Sequence, residues 1–185
     1  MSNKNKVFGI FIIVALVQLF VPLKMIYDNE SVLKNGIPYK FKTEPIDPRD
    51  PFRGNYVYLD YAETVINIKN AKKWQERSKA YAALTVDKDG FAKVKSISNR
   101  KYKNGEDFIE IKIGYSITEG KLSIVLPFDR FYMEETKAPK AEVKFIESGR
   151  DEKQLTYALV RVENGTAVVE DVFINDVSLV DLVTE

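Results

Sequence analysis

The stretch that decides the fold is Gly54-Asn55-Tyr56-Val57-Tyr58-Leu59-Asp60-Tyr61. Successive side chains of a strand point to opposite faces, so Val57, Leu59 and Tyr61 share one face while Tyr56 and Tyr58 share the other. Both faces are apolar over most of this length. The pattern therefore predicts a central strand that is covered on two sides.

A proline-rich loop, Glu44-Pro45-Ile46-Asp47-Pro48-Arg49-Asp50-Pro51-Phe52-Arg53, leads into this strand. Proline fixes φ and pushes the preceding residue towards an extended conformation, so the loop is stiff. We favour a structural interpretation of its charges, in which Asp47 and Asp50 pair with Arg49 and Arg53 and fasten the loop. The alternative is that these four residues bind Ca²⁺, a phosphate or a sugar, although the two arginines would repel a cation.

The N-terminal region is an uncharged apolar run from Val7 to Leu23. As a helix this run is about 25 Å long, and residues up to Tyr27 extend it to about the 30 Å of the hydrocarbon layer. We therefore predict a cytoplasmic tail at residues 1–6, a transmembrane anchor at residues 7–27 and one extramembrane domain at residues 28–185. Membrane lipid is the expected partner of residues 7–27.

A cleaved signal peptide and a buried core helix are both less consistent with this run. A signal peptide needs a small-x-small cleavage site, and Pro22 to Tyr27 offers none. A buried core helix usually has a polar face, and this run has only Gln18. Lys4 and Lys6 favour a cytoplasmic N-terminus, whereas the lysines after the anchor favour the opposite orientation. Large domains are translocated largely regardless of charge, so we place the domain outside the cytoplasmic membrane.

Strand-like alternation dominates the extramembrane part. Three turn sequences separate pairs of predicted strands: Lys34-Asn35-Gly36-Ile37 between 30–33 and 39–43, Asp87-Lys88-Asp89-Gly90 between 81–86 and 91–97, and Glu163-Asn164-Gly165 between 155–162 and 166–174. Asn-Gly supplies the positive φ angles that a tight hairpin needs. The alternation at 108–113 marks another strand, and 122–126 with 131–133 are predicted to form one interrupted strand pair.

Two short helices complete the predicted domain. Residues 67–77 combine Ala71 and Trp74 with several charged residues, which is typical of a short surface helix. Residues 139–148 begin with Pro139 and end before Gly149, the asymmetry expected of a helix. The sequence therefore predicts an α+β, β-rich domain with an antiparallel sheet and one or two short helices after an N-terminal transmembrane helix.

The composition excludes several kinds of chemistry. The chain has no histidine and no cysteine, so it lacks the usual general base, the commonest metal ligand, a thiol nucleophile and disulfides. Its nine glycines form no phosphate-binding loop and no dinucleotide fingerprint. The net charge is +1 with mixed signs, which gives no nucleic-acid footprint. We expect no cofactor, no bound metal and no nucleic-acid partner.

Arg130 and Glu134 stand beside aromatic residues in the segment Phe128-Asp129-Arg130-Phe131-Tyr132-Met133-Glu134-Glu135. One interpretation is a binding site that uses Arg130 and Glu134. The alternative, which we favour, is a core aromatic patch on which the arginine is stacked.

Residues 54–61 resemble the motif of the GDYXXLXY family of bacterial membrane-anchored proteins. Gly54, Tyr56, Leu59 and Tyr61 match this motif, and Asn55 stands where the family has Asp. The Pro–Asp–Pro lead-in is similar too, and the resemblance covers nearly the whole chain. The family is described as uncharacterised, so the resemblance implies an anchored domain but no activity, cofactor or catalytic residue. Asn replaces Asp well in a turn, which favours a structural role for the motif.

Two functions are consistent with these features. The first is a non-enzymatic, membrane-tethered extracytoplasmic module that binds or supports a partner, with an integral membrane protein as a candidate partner through the anchor. The second is a membrane-tethered serine–lysine peptidase related in layout to signal peptidases, with Ser31 as nucleophile just beyond the membrane. Ser31-Val32-Leu33 lacks the Ser-Met-x-Pro context of those enzymes, and no lysine is marked as the base that activation requires.

The glycine of the motif gives a prediction from the sequence alone. The chain leaves a proline-stiffened loop and enters an aromatic strand at Gly54, so we expect a positive φ or a close backbone approach there. Gly54→Val should prevent accumulation of the folded domain, because a β-branched residue at positive φ is strongly disfavoured. Asn55→Asp is the control and should be nearly silent. Limited proteolysis compares the two, and a protease-resistant Gly54→Val domain would contradict a backbone role for this glycine.

Overall fold

The computed structural model describes residues 3–44, 56–68, 70, 73–103, 105–118, 120–151 and 153–184. Within these residues an N-terminal apolar helix precedes antiparallel sheets and two short helices. The predicted α+β, β-rich fold class is confirmed.

The first helix, α1, spans Asn3–Asn35 and so continues past the predicted end of the anchor. Its large apolar side chains from Val7 to Tyr27 are exposed. The segment Lys6–Asn35 is long and apolar enough to cross a membrane, a property that membrane spans and signal sequences share. At about 1.5 Å per residue α1 is roughly 50 Å long, whereas the hydrocarbon layer is about 30 Å thick.

The predicted strand at residues 30–33 and its Asn-Gly hairpin turn are wrong, because α1 includes residues 30–33 and continues to Asn35. Gly36 ends the helix instead, and its N–H donates to the carbonyl of Val32 at 2.8 Å. Ion pairs four residues apart, Lys24–Asp28 and Glu30–Lys34, stabilise this part of the helix. Propagating an existing helix by another turn is cheaper than nucleating a new element, so the helix overrides the local turn preference.

The strands form two five-stranded sheets and a two-stranded ribbon, all with antiparallel pairing. Sheet I contains β1 (Ile37–Glu44), β3 (Asp60–Tyr61), β10 (Thr156–Glu163), β11 (Thr166–Ile174) and β12 (Val177–Ser178), in the order β12-β11-β10-β1-β3. Sheet II contains β4 (Val65–Asn67), β5 (Lys79–Val86), β6 (Ala92–Ser98), β7 (Phe108–Thr118) and β8 (Lys121–Val125), in the order β4-β8-β7-β5-β6. The ribbon pairs β2 (Tyr56–Tyr58) with β9 (Arg130–Tyr132).

Two predicted hairpins are present. In the turn between β5 and β6, the Asp87 carboxylate accepts the N–H groups of Asp89 and Phe91 at 3.0 and 2.8 Å. In the turn between β10 and β11, Asn164 and Gly165 have φ angles of 51° and 91°. These turns were predictable because their backbone angles and hydrogen bonds are set by residues within the turn itself.

The predicted central strand at residues 55–61 is divided in two, since β2 pairs with β9 whereas β3 pairs with β1. Leu59 lies between them, and its N–H donates to the carbonyl of Asp129 at 2.8 Å. One face of the segment, with Val57, Leu59 and Tyr61, is buried, while Tyr56 on the other face is half-buried. The predicted cover on both faces is therefore complete on one face only.

Two further predictions need correction. Residues 122–126 and 131–133 do not form one strand pair, because β8 belongs to sheet II and β9 belongs to the ribbon. The predicted helix at 67–77 is wrong for its described residues: Asn67 ends a strand, and Glu76 and Arg77 form a turn. The charged residues of this segment are consistent with an exposed position in the fold, but they do not specify a helix.

The sheets, the ribbon and the short helices share one core. Two isolated bridges, Lys40–Phe91 and Ile109–Gly165, connect sheet I to sheet II. The helix α2 (Ala138–Arg150) starts next to its proline, as predicted, and buries Ala141 and Phe145. The helix α3 (Leu179–Leu182), which was not predicted from the sequence, buries Leu179. The core residues of all these elements form one contiguous cluster.

Gly36 gives a test of how α1 joins the sheet. A Cβ on this residue would lie 2.5 Å from the carbonyl oxygen of Val32 and 3.0 Å from the backbone nitrogen of Val162. Because both neighbours are backbone atoms, Gly36→Ala should destabilise the domain by about 1–3 kcal/mol. The exposed neighbour provides the control variant Asn35→Ala, which should change stability by less than about 0.5 kcal/mol. Thermal unfolding of the full chain in detergent measures both, and equal melting of Gly36→Ala and parent would contradict the packing.

Candidate functional site

The candidate site is the outward face of the β2–β9 ribbon. Tyr56 lies opposite Tyr132, and Tyr58 lies opposite Arg130. The third pair, Val57 with Phe131, points inward and is buried. This alternation leaves three tyrosines and one arginine on the outer side, and we call Tyr56, Tyr58, Arg130 and Tyr132 the tyrosine–arginine face.

The side chains of this face contact one another. The guanidinium carbon of Arg130 lies 5.1 Å from the centroid of the Tyr56 ring, within the range of a cation–π interaction. The rings of Tyr56 and Tyr132 are tilted by 57° with their centroids 5.6 Å apart. Tyr132 nevertheless stays 68% exposed. Tyr132 therefore packs against Tyr56 on one side while much of its ring remains in contact with water.

Arg130 is the cation of this face. Its Nε lies 3.8 Å from an oxygen of Asp129, which is an ion-pair distance but too long for a hydrogen bond. A hydrogen bond with Tyr132 and the negative charge of Asp129 raise the pKa of Arg130 above its usual range. The guanidinium is therefore charged at every physiological pH, and the side chain of Arg130 is 48% exposed.

A buried aromatic cluster holds the ribbon in place. The ring of Phe128 lies 5.0 Å from that of Phe41 and 5.3 Å from that of Tyr61, both in edge-on arrangements. The Tyr61 hydroxyl donates to the carbonyl of Phe128 at 2.8 Å. Burial, with a smaller effect from Asp129, raises the pKa of Tyr61 well above its usual value. The hydroxyl is thus a permanent donor that fixes the start of the segment carrying Arg130.

The ribbon is connected to the end of sheet I that is remote from α1. β1 begins next to α1 at Ile37, and its far end pairs with β3 through Thr43–Tyr61 and Glu44–Asp60. β1 has eight residues, so at about 3.3 Å per residue the two ends are roughly 24 Å apart. The tyrosine–arginine face is therefore at the distal end of the domain relative to α1.

The predicted site residues separate into three groups. Asp47, Arg49, Asp50, Arg53, Gly54 and Asn55 lie outside the described residues. Leu59 and Tyr61 belong to the buried core. Tyr56 and Arg130 come together on the exposed face, so the expected stacking of the arginine on an aromatic ring is present, but not in the core.

Glu134 does not join Arg130 at this face. Its carbonyl accepts the N–H groups of Lys137 and Ala138, both at 2.9 Å, and its carboxylate lies 3.5 Å from the Lys137 amine. These contacts position the start of α2. Tyr132 and Tyr58 were not predicted as site residues, although the alternation of Arg130, Phe131 and Tyr132 indicated that Tyr132 and Arg130 share a face.

A groove adjoins the face at Asp129. It has a volume of about 320 Å³ and is lined by Glu110, Ile111, Lys112, Val125, Leu126, Pro127 and Asp129. Glu110 is paired with Lys79 at 2.6 Å, whereas no carboxylate of the described residues pairs with Lys112. The groove thus combines apolar side chains with two carboxylates, those of Glu110 and Asp129, and with the amine of Lys112.

The serine proposed as a catalytic nucleophile has an amide as its neighbour. Ser31 lies on α1, and its hydroxyl accepts the side-chain amide N–H of Asn35 at 3.3 Å. Lys34 is directed to Glu30, 3.9 Å away. The contact of Ser31 is therefore an amide rather than a basic amine. In the described part of the chain no three Asp or Glu residues cluster closely enough to hold a metal ion.

Comparison with known proteins gives one match. The sequence model of the family described as GDYXXLXY protein matches residues 18–172. Neither the curated proteins nor the solved structures contain a match to the chain.

The buried hydroxyl of Tyr61 provides a stability test. Tyr61→Phe removes the donor to Phe128 and leaves a buried carbonyl unsatisfied, so we expect a loss of about 1–3 kcal/mol in the free energy of unfolding. Tyr132→Phe is the matched control on the exposed ribbon face and should cost less than about 0.5 kcal/mol. Urea denaturation followed by fluorescence measures both variants. Equal stability of the two would show that the buried hydrogen bond does not hold the ribbon.

Proposed function

The chain belongs to the GDYXXLXY family, and from this premise we propose that it is a non-enzymatic module, tethered to the cytoplasmic membrane by α1, whose extracytoplasmic domain binds or supports a partner protein. The observation that carries this proposal is the direct junction between α1 and β1. A single residue, Gly36, separates the helix from the strand.

The junction is packed and not a linker. Val32 on the last turns of α1 is 5% exposed. The carbonyl of Gly36 accepts a hydrogen bond from Nη1 of Arg161 at 3.2 Å, and the same guanidinium binds Glu170 through Nε and Nη2. Helix and sheet therefore move as one unit, which suits a protein that presents its domain at a fixed height and orientation.

The exposed apolar surface of α1 supports the membrane anchor. None of the most apolar window of this helix is buried in the protein, although a core helix would be mostly buried. Lipid, or the helices of an integral membrane protein, would cover this surface and remove it from water. The segment of α1 beyond Tyr27 is polar enough to continue into the aqueous phase, and Glu30 pairs with Lys34 within it.

The residues of the tyrosine–arginine face favour binding over catalysis. Tyrosine and arginine dominate the energetics of protein interfaces because they combine large contact area with directed hydrogen bonds. The chain has no histidine or cysteine to act as base or nucleophile, and the described neighbours of Ser31 do not activate it. A tether that fixes the domain and an exposed tyrosine–arginine face at its far end are the two parts that a binding module needs.

The absence of cysteine makes the tether directly testable. Ser2→Cys and Thr85→Cys each introduce one thiol into the full chain, the first before α1 and the second at an exposed position of β5. A membrane-impermeant maleimide applied to intact cells should label Thr85→Cys, and it should label Ser2→Cys only after permeabilisation. The chain should also stay in the membrane fraction at its full mass after alkaline extraction.

Two results would contradict the tether. Labelling of Ser2→Cys but not of Thr85→Cys in intact cells would place the domain in the cytoplasm. Release of a shortened chain into the soluble fraction would identify α1 as a cleaved signal sequence. Labelling of Thr85→Cys in the purified, detergent-solubilised chain is the control for reactivity of the thiol.

A further inference from the structure

We propose that the side of α1 that carries Gln18 binds a transmembrane helix of another membrane protein, and that this helix has a hydrogen-bonding side chain near the bilayer midplane. The inference rests on the proposed membrane tether and identifies the partner by its chemistry. Gln18 is the single polar residue between Val7 and Leu23. It is one residue from the middle of the span at residues 7–27, which is about 1.5 Å along the helix.

The amide of Gln18 needs a partner that α1 does not supply. Its side chain is exposed and forms no hydrogen bond with any other residue that the structure describes. In a hydrocarbon layer water does not reach this depth, and an amide without a hydrogen bond is unfavourable there. The amide can both donate and accept, so a hydroxyl, amide or carboxyl group on a neighbouring helix would satisfy it. Lipid tails offer no such group, and lipid alone therefore does not complete this side of α1.

Pro22 adds a second polar group at the same place. In an α-helix the N–H of each residue donates to the carbonyl four residues earlier, so residue 22 would donate to the carbonyl of Gln18. Proline has no N–H, and Pro22 lies inside α1. The backbone carbonyl of Gln18 therefore lacks its regular helical donor. A polar side chain on a neighbouring helix can donate to this carbonyl as well as bind the amide.

The side chains around Gln18 leave room for a neighbouring helix. At about 100° per residue, the four residues within roughly 60° of Gln18 are small, β-branched or cyclic, and the opposite side is bulkier. The first set is Val14, Ala15, Val21 and Pro22, and the second is Ile13, Leu16, Phe20 and Leu23. Small side chains let helix backbones approach closely in a membrane. The Gln18 side is thus the one suited to helix packing, and the bulky side is suited to lipid.

The position of the domain favours a different protein over a second copy of this chain. Val32 is 5% exposed and α1 contacts β10 and β11, whereas Lys34 and Asn35 are exposed. Val32 is fourteen residues after Gln18, almost four turns, so the two side chains lie within about 40° of each other around the helix. The domain therefore lies on the Gln18 side. Two copies paired through Gln18 would bring both domains into the same space, while a helix that ends near the membrane surface fits beneath the domain.

Site-specific photo-crosslinking in the full-length chain, in cells that naturally produce it, tests the proposal. A benzoylphenylalanine at Val21 should form an adduct with a different membrane protein. Mass spectrometry should place the crosslink in a transmembrane segment, within about one helical turn of a polar side chain. Gln18→Leu should lower the adduct yield about threefold to tenfold, because the hydrogen bond between the helices is lost. Gln18→Asn keeps an amide and should retain most of the adduct.

Phe20 provides the matched control position, because it is in the same membrane layer but on the opposite side of α1. A benzoylphenylalanine there should give no adduct with that protein. With the chain still in the membrane, five results would overturn the proposal: no protein adduct at Val21, an adduct with the mass of two copies of this chain, equal yields at Val21 and Phe20, a yield unaffected by Gln18→Leu, or a crosslink remote from polar side chains. These results would leave the tether standing. Release of a shortened, soluble chain would overturn the tether and this inference together.

Discussion

The close backbone contact at Gly36 is the constraint on which the rest of the structure depends. The helix α1 ends where the Gly36 N–H donates to Val32, and the strand begins at the next residue. A side chain at Gly36 would meet backbone atoms of both Val32 and Val162, so only glycine allows the helix to pass directly into the sheet. Because β10 is the neighbour of β1, this one contact fixes the direction of sheet I relative to α1. The position of every other element relative to α1 follows from that direction.

A change of pairing partner at Leu59 determines where the candidate site lies. The segment before Leu59 pairs with β9 and the segment after it pairs with β1, so one short stretch of chain connects sheet I to the ribbon. The buried rings of Phe41, Tyr61 and Phe128 pack against one another in the core beneath this connection and stabilise it. The motif residues therefore have two roles. Leu59 and Tyr61 hold the core, and Tyr56 contributes to the outer face with Arg130.

The sequence predicted those features whose causes are local. The turns at Asp87-Lys88-Asp89-Gly90 and Asn164-Gly165, the start of α2 at its proline and the apolar helix all depend on neighbouring residues. The errors arose where distant residues decide. The helix α1 overrode the turn preference of Asn35-Gly36, and the division of residues 55–61 depends on partners about 70 residues away. The approach of Arg130 to Tyr56 is likewise non-local. Periodicity indicated which side chains share a strand face but not which strands pair, so Tyr132 was missed.

We infer that α1 and the domain form a rigid unit, which holds the tyrosine–arginine face at a fixed position relative to α1. Double electron–electron resonance measures this directly, because the chain has no cysteine of its own. Spin labels at Tyr27→Cys on α1 and Thr85→Cys on β5 occupy exposed positions on either side of the Gly36 junction. In lipid nanodiscs a rigid unit predicts one narrow distance peak, which stays in place when detergent micelles replace the bilayer. A broad distribution, or a peak that moves with the membrane mimic, would show that the junction is a flexible linker and would contradict the claim.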